Sequence, residues 1–261
     1  MVELGTAQAV ALRTAGGAVP ATHTRVQRLL ERAHRVRTLA LAWGYPFPGR
    51  ARQVRAMFAR ATRPTAAGLA RAWARAEHAW RAADDDSLAA AYARLFIGAH
   101  ACPLHETAYG DGRRIAGRTA ELADIAGFYR AFGFELAPQD AVPPDHVCAE
   151  LEFYSAMLLK AAWAGRGGWS ERGRIVVQAL RRFLKDHLGR WPVALAREIA
   201  AQRAPSPYGA LSALLAALIA HEARAWRVLP QPLVGVATGD AMQQDSFACP
   251  HAPALDSVCP P

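Results

Sequence analysis

Residues 145–165 read DHVCAELEFYSAMLLKAAWAG and carry the strongest helical pattern in this chain of 261 residues. Apolar side chains recur there every three or four positions, which is the spacing of residues on one helix face. One stripe comprises Val147, Leu151, Tyr154, Leu158 and Ala162, and a neighbouring stripe comprises His146, Glu150, Phe153 and Met157. An apolar arc this wide predicts a central helix that packs on several sides.

Similar periodicity predicts helices on both sides of this segment, at about residues 24–43, 50–62, 64–82, 84–98, 119–132, 170–187, 191–203 and 207–228. Pro64 suits the first turn of the third helix. The run Asp84-Asp85-Asp86-Ser87 predicts a helix start, because its side-chain oxygens accept from unpaired backbone N–H groups. No segment shows the alternation typical of strands. We therefore predict an all-α fold, a single multi-helix bundle with a hinge loop before the central helix.

Three regions are expected along the chain. Residues 1–22 are predicted to form a flexible N-terminus, residues 23–228 one helical domain with a hinge near 134–144, and residues 229–261 an irregular C-terminal tail rich in proline and glycine. The connection 98–117 has about twenty residues without periodicity. A loop of that length within a compact domain is usually functional.

The net charge of +9 is unevenly distributed. Residues 1–82 carry +11 and residues 161–261 carry +4, whereas residues 83–160 carry −6. A protein that binds nucleic acid is expected to place positive charge over its binding site. The acidic middle third makes nucleic-acid binding through the arginine-rich first 82 residues an alternative, not the main hypothesis.

The cellular location follows from what the sequence lacks. The cysteines Cys102, Cys148, Cys249 and Cys259 are too few and too scattered for a secreted disulfide framework. No apolar run reaches the length that spans a bilayer, and Glu3 stands where a signal peptide needs positive charge. We predict a cytoplasmic protein without stable membrane insertion.

Metal or catalytic sites have weak support in the sequence. His100, His105 and Glu106 in the long loop, joined by His146 and by Glu150 or Cys102, contain ligand types that suit zinc, so a metal-dependent hydrolase is a second alternative. Cys249, His251 and Cys259 are weaker metal candidates in the tail. No nucleophile elbow, phosphate loop or dinucleotide motif is present, so neither a catalytic residue nor a cofactor is predicted.

A peptide-binding surface is a further reading of the same region. Aromatic and apolar residues lie near acidic ones, which suits a partner that combines arginines with an apolar stretch. The residues are Tyr92, Leu95, Phe96, Pro103, Leu104, Tyr109, Glu106, Asp145, Glu150 and Glu152. From composition alone, a plain core with a solvated acidic face is the favoured interpretation of these residues.

Two blocks of sequence resemble the TorD/DmsD/NarJ-type maturation chaperones of molybdenum enzymes. The first block is Tyr92-Ala-Arg-Leu95-Phe96-Ile-Gly98 with Pro103-Leu104-His105-Glu106 and Tyr109, and the second is Pro144-Asp145-His146 with Glu150-Leu151-Glu152-Phe153. The resemblance covers residues 28–228 in helix order. Within the family, the chain is similar to the branch that serves dimethylsulfide and ethylbenzene dehydrogenase-like enzymes. The loop histidines and the cysteines of the tail depart from the family pattern.

The resemblance implies a cytoplasmic chaperone without enzymatic turnover. It would bind the precursor of a molybdopterin oxidoreductase catalytic subunit through its twin-arginine leader, as a monomer or a domain-swapped dimer, and assist molybdenum cofactor insertion before export. The implied client-binding residues are Tyr92, Leu95, Phe96, Pro103, Glu106, Tyr109, Asp145, His146 and Glu150. The negative charge of the middle third would then face the arginines of the client.

Overall fold

The computed structural model describes residues 21–97, 101–110, 115–135, 142–203 and 206–235. In these ranges the chain is all-α, as predicted, and forms nine α-helices: α1 Ala21–Ala42, α2 Pro48–Arg60, α3 Ala67–Ala82, α4 Asp85–Phe96, α5 Ile115–Ala131, α6 Val147–Arg166, α7 Ser170–Phe183, α8 Pro192–Ala201 and α9 Pro207–Trp226. A 3-10 turn occupies Glu106–Ala108, and a π-helical turn, Leu184–Leu188, extends α7.

Helix α6 is the central element, and α1 packs along it. Both apolar stripes predicted for α6 are buried from Val147 onward. Ser155 donates a hydrogen bond to the carbonyl of Ala33 at 2.9 Å, so the two helices are also joined by a buried polar contact. The predicted central helix is therefore confirmed, and its wide apolar arc exists because α1 and α7 both cover it.

Helix α9 forms the second layer with α3 and α8. Its first turn carries Tyr208, which is fully buried and makes edge contacts with Trp80, Tyr92 and Phe96 at centroid distances of 5.9, 5.7 and 5.2 Å. Edge-to-face pairs of this kind contribute beyond the area they bury. The aromatic cluster fixes the end of α4 against α9.

A buried ionic network joins the middle of α1 to α6 and the end of α9. The guanidinium of Arg32 donates from Nε to Oε1 of Glu222 at 2.9 Å, and the hydroxyl of Tyr154 donates to Oε2 at 2.8 Å. Trp226 donates its indole N–H to that hydroxyl at 2.8 Å and lies under the Arg32 guanidinium. Glu222 is fully buried, so this network compensates a charge removed from water.

Most predicted boundaries agree with the structure, with local exceptions. Asp84 caps α4 as expected, since its Oδ1 accepts from the N–H of Ser87 at 2.6 Å. Pro64 does not open α3, which begins only at Ala67. Helix α5 begins at Ile115, four residues before the predicted Thr119.

None of the helices in the described ranges has both the length and the apolar character that crossing a membrane requires.

Candidate functional site

The two sequence blocks meet in one short antiparallel bridge between His105 and His146. The N–H of Glu106 donates to the carbonyl of Asp145 at 3.0 Å, and the N–H of Val147 donates to the carbonyl of Leu104 at 2.9 Å. The loop after α4 is thereby fastened to the first turn of α6. Residues about forty positions apart form a single site.

Asp145 is the polar anchor of this bridge and is 2% exposed. Its Oδ2 accepts from the N–H of Thr107 at 3.2 Å and from the hydroxyl of the same residue at 2.6 Å. His105 lies on the other oxygen, with Nδ1 at 3.4 Å from Oδ1. Burial alone would raise the pKa of Asp145, but the hydrogen bonds from His105 and Thr107 outweigh it and lower the pKa.

His146 is the N-cap of α6. Its Nδ1 accepts from the N–H of Cys148 at 3.1 Å, and its ring meets the ring of His105 at 5.0 Å in an edge contact. Burial, together with the nearby His105, lowers the pKa of His146 to about 4. The imidazole is therefore neutral near neutral pH, which is the form that can accept the capping hydrogen bond.

Two carboxyl groups, those of Glu106 and Glu150, meet in the interior and are both fully buried. Oε2 of Glu150 accepts the indole N–H of Trp191 at 3.2 Å, whereas Oε1 of each glutamate has no conventional hydrogen-bond partner. Burial raises the pKa of Glu150 well above its usual value, and the neighbouring Glu106 adds to the rise. Burial and the neighbouring carboxyl group therefore both favour the protonated form of Glu150.

His187 reaches the same cluster from the π-helical turn. Its Nδ1 lies 3.3 Å from Oε2 of Glu106, and its Nε2 lies 3.1 Å from Oδ2 of Asp124 on α5. Burial alone would lower the pKa of His187, but these two carboxylates outweigh it and raise the pKa. The two acids, one interior and one at the surface, thus favour the protonated form of His187.

The π-helical turn is what aims His187 inward. The N–H of Gly189 donates to the carbonyl of Leu184 at 2.9 Å, five residues back instead of four. A Cβ at Gly189 would lie only 2.1 Å from that carbonyl oxygen. Glycine is therefore required at this position by the close approach of the backbone.

Arg190 closes the polar cluster. Its Nη1 lies 2.8 Å from Oε1 of Glu121 and 3.6 Å from Oε1 of Glu106. The ligand atoms of Glu106, Glu121 and His187 lie within 4.8 Å of one another, which is a spacing that suits a metal ion. The Arg190 guanidinium already supplies positive charge there, so we interpret the cluster as an ion-pair network.

The aromatic residues of the first block lie beside this site. Tyr92 and Phe96 are half-buried and pack edge to face at 4.9 Å, and Tyr92 also meets Tyr45 at 5.4 Å. Leu95 is buried in the core, and its carbonyl accepts from the N–H of Cys102 at 2.7 Å. Leu95 thus positions the loop, while the two aromatic rings are partly accessible.

Pro103 and Tyr109 shape the loop itself. The hydroxyl of Tyr109 donates to the carbonyl of Pro103 at 2.7 Å, and its ring stacks on Trp191 at 5.5 Å. Tyr109 is buried, and burial raises the pKa of its hydroxyl. These contacts fold the loop over Trp191 and hold Glu106 above Glu150.

The acidic groups are placed differently from the expected surface. The carboxylates of Glu106, Asp145 and Glu150 are interior and engaged with one another or with the loop. The acids that reach solvent nearby are Asp124, with its side chain 52% exposed, and Glu152, 48% exposed and paired with Arg37 at 2.6 Å. Glu150 is buried and Glu152 is exposed because residues two positions apart lie on different sides of a helix.

The predicted metal set is not assembled among the described residues. His105 and His146 touch through their rings, but Nδ1 of His146 is occupied by the N–H of Cys148. His100, Cys249, His251 and Cys259 lie outside the described residues.

Four residues of the cluster were not predicted from the sequence. Glu121 and Asp124 come from α5, and His187 and Arg190 come from the end of α7. One signal does mark His187: it continues the apolar stripe of Val176, Leu180 and Phe183 on α7, which indicates a buried position. Nothing local identifies its carboxylate partners.

Comparison with known proteins identifies the class. The model of the nitrate reductase delta subunit family matches residues 62–197, a range that contains both blocks and the whole polar cluster, and the chain belongs to this family. A curated relative, the selenate reductase assembly chaperone protein of Thauera selenatis, is 32% identical over 123 residues. That match covers 47% of this chain and 62% of the relative's length.

A solved structure shows a distant likeness. The crystal structure of a protein from Archaeoglobus fulgidus, described as a candidate redox enzyme maturation protein, is 16% identical, with a TM-score of 0.46, over 72% of this chain and 93% of that one.

Proposed function

We propose that this protein is an assembly chaperone that binds the precursor of a molybdenum-containing oxidoreductase in the cytoplasm. Family membership over residues 62–197 and the assembly-chaperone relative support this proposal. The structural observation that carries it is the His105–His146 bridge, because it joins the two family-like blocks into one surface.

The client segment would be a leader that combines arginines with apolar residues. The half-buried rings of Tyr92 and Phe96 offer an apolar contact, and the exposed carboxylates of Asp124 and Glu152 offer partners for guanidinium groups. Arginine and carboxylate pair with two parallel hydrogen bonds, which gives specificity as well as affinity. The buried acids serve the site indirectly by fixing the loop and the start of α6.

The protein would act by binding and not by turnover. Asp145, His146 and His187, the residues that elsewhere perform acid–base chemistry, hold the bridge, the helix cap and the ion-pair network here. Binding would keep the precursor available for cofactor insertion before export.

A titration of the full-length protein with a fluorescent twin-arginine leader peptide tests the proposal. Replacing Asp145 and His146 together by alanine should weaken binding by about tenfold or more, because the loop and the start of α6 lose the hydrogen bonds that position them. Asp124→Asn should weaken it by a smaller factor without disturbing the loop. Unchanged affinity in these variants would refute the site, and no binding of either the leader or the unassembled precursor would refute the function.

The matched control is Asp84→Ala. It removes a helix cap on α4 and is expected to lower stability, yet it leaves the bridge intact. If Asp84→Ala weakened leader binding as much as the double variant does, general destabilisation would explain the loss.

A further inference from the structure

A second surface, on the opposite end of α6 from the bridge, has the features of a docking groove. It lies between the first turns of α1, the end of α6 and the first three turns of α7, and it has a volume of about 740 Å³. Its floor is apolar, with Val26, Leu29, Ala161, Ala164 and Val177. That volume is in the range of sites that bind ligands or peptide side chains.

Small residues keep this groove open. A Cβ at Gly165 would lie 3.4 Å from Val26, and a Cβ at Gly173 would lie 3.6 Å from Ala164. Beside the groove, Trp163 is 65% exposed and meets the half-exposed Trp169 at 4.9 Å. Two neighbouring tryptophans in contact with water are typical of a surface that binds another chain.

The rim of the groove is positively charged. Arg25 from α1 and Arg174 and Arg181 from α7 surround it. In the part of the chain that the structure describes, Arg25 and Arg181 make no ion pair, and Arg174 has only a 3.8 Å contact with the exposed Glu171. An exposed pair of that kind contributes little, so the rim favours an acidic occupant.

We propose that this groove is a docking site for residues 236–261 of the same chain. This segment contains Asp240, Asp245 and Asp256 and no lysine or arginine. It also contains apolar side chains that suit the floor, among them Met242, Phe247 and Leu255. Residues 1–20, by contrast, carry one acidic and one basic residue, Glu3 and Arg13, and have no charge complementarity to the rim.

The segment begins within reach of the groove. The N–H of Leu233 donates to the carbonyl of Arg190 at 2.9 Å, and the N–H of Gly110 donates to the carbonyl of Gly235 at 3.0 Å, so residue 235 is held near the end of α7. From Arg190, which holds Leu233, back along the helix to Ser170 at the groove, the distance is about 30 Å, at 1.5 Å per helical residue. An extended chain covers this distance in about ten residues, which brings the part from Asp245 onward alongside the arginines.

Disulfide trapping in the full-length protein tests this proposal. Gln178 lines the groove, and the segment itself carries Cys249 and Cys259, so Gln178→Cys with a thiol oxidant should give an intramolecular disulfide to the segment. Arg71→Cys is the matched control, because Arg71 is exposed on α3, which packs on α2 and α9. We expect trapping about tenfold faster at position 178 than at position 71, since docking raises the effective concentration.

Charge reversal separates docking from chance encounter. Arg174→Glu with Arg181→Glu should slow trapping at position 178 to the rate of the control, and Asp245→Lys with Asp256→Lys should restore it in that background. Equal trapping rates at positions 178 and 71 would overturn the proposal. A trapping rate at position 178 that does not change when the rim charges are reversed would also overturn it. Disulfide-linked dimers instead of intramolecular links would assign the groove to a second copy and would also overturn it.

Discussion

Trp191 donates its indole N–H to Oε2 of Glu150 at 3.2 Å, and thereby satisfies one oxygen of a carboxyl group at the centre of the molecule. The remaining oxygen, Oε1, has no hydrogen-bond partner among the described residues, and the neighbouring Glu106 is equally buried. Two interior carboxyl groups side by side cannot both ionise at low cost. Burial and the neighbouring Glu106 therefore favour the protonated form of Glu150.

Glu150→Gln should change how stability depends on pH. Because burial and Glu106 raise the pKa of Glu150, the folded protein keeps a proton that the unfolded chain releases above about pH 4.3. The contribution of this group to the stability of the wild type is fully present below that pH and is lost as the pH rises. The glutamine of the variant cannot ionise. The free energy of unfolding should therefore decline less steeply in the variant than in the wild type between about pH 5 and pH 8, and the two slopes should differ by up to about 1.4 kcal/mol per pH unit.

Urea titrations across this pH range measure that difference. Glu152→Gln is the control, because it makes the same change on the same helix at an exposed side chain. A pH dependence that is identical in the wild type and Glu150→Gln would contradict a raised pKa of Glu150 in the folded protein.

Gly189→Ala should destabilise the protein by at least about 2 kcal/mol, because its Cβ would lie 2.1 Å from the backbone oxygen of Leu184. The π-helical turn would have to open, and His187 would lose its place between Glu106 and Asp124. Gly127→Ala is the opposite case, since its Cβ meets nothing within 4 Å in the middle of α5. That variant should gain about 0.5–1 kcal/mol, and thermal unfolding of both would show whether the sign differs as expected.

Glu222→Ala should be among the most damaging single substitutions, costing about 3–5 kcal/mol, because it leaves the mostly buried Arg32 without its partner. Tyr154→Phe removes one hydrogen bond from the same network and should cost about 1–2 kcal/mol. Chemical denaturation of the two variants measures the two losses in the free energy of unfolding. Similar losses for both would mean that Arg32 finds water or another acid when Glu222 is removed.

Asp145→Ala should loosen the loop before it unfolds the protein. The substitution leaves the N–H and the hydroxyl of Thr107 without their acceptor and should cost about 1–3 kcal/mol. Hydrogen exchange at residues 105–110 should accelerate while exchange in α1 and α9 follows global stability. Exchange that accelerates equally in all three regions would show that Asp145 supports the whole fold and not the bridge.

The helices were predictable because each carries its apolar stripe in its own sequence. Asp84 shows the same for a local cap, since donor and acceptor are three residues apart. The interior location of Glu106 and Glu150 was not predictable, because the side chains that satisfy them, His187 and Trp191, come from far along the chain. Periodicity reports which face of a helix is buried and not which polar groups will meet there.

The π-helical turn illustrates the same limit. The α7 stripe runs without interruption through Phe183 to His187, and this pattern predicts one regular helix. The turn widens because Gly189 permits the carbonyl of Leu184 to reach it and because Glu106 and Asp124 hold His187. Both conditions depend on tertiary contacts.

The short bridge between His105 and His146 also determines how part of the chain can come apart. It closes a loop of about forty residues that contains α5, and the aromatic face of α5 adds contacts such as Phe128 on Phe183 at 5.4 Å. Closing a loop of this length has an entropic cost, and this cost changes little when the loop gains or loses a few residues. Breaking the two backbone hydrogen bonds of the bridge therefore removes the constraint on the loop, whereas α5 keeps its own contacts with Phe183, His187 and Arg190.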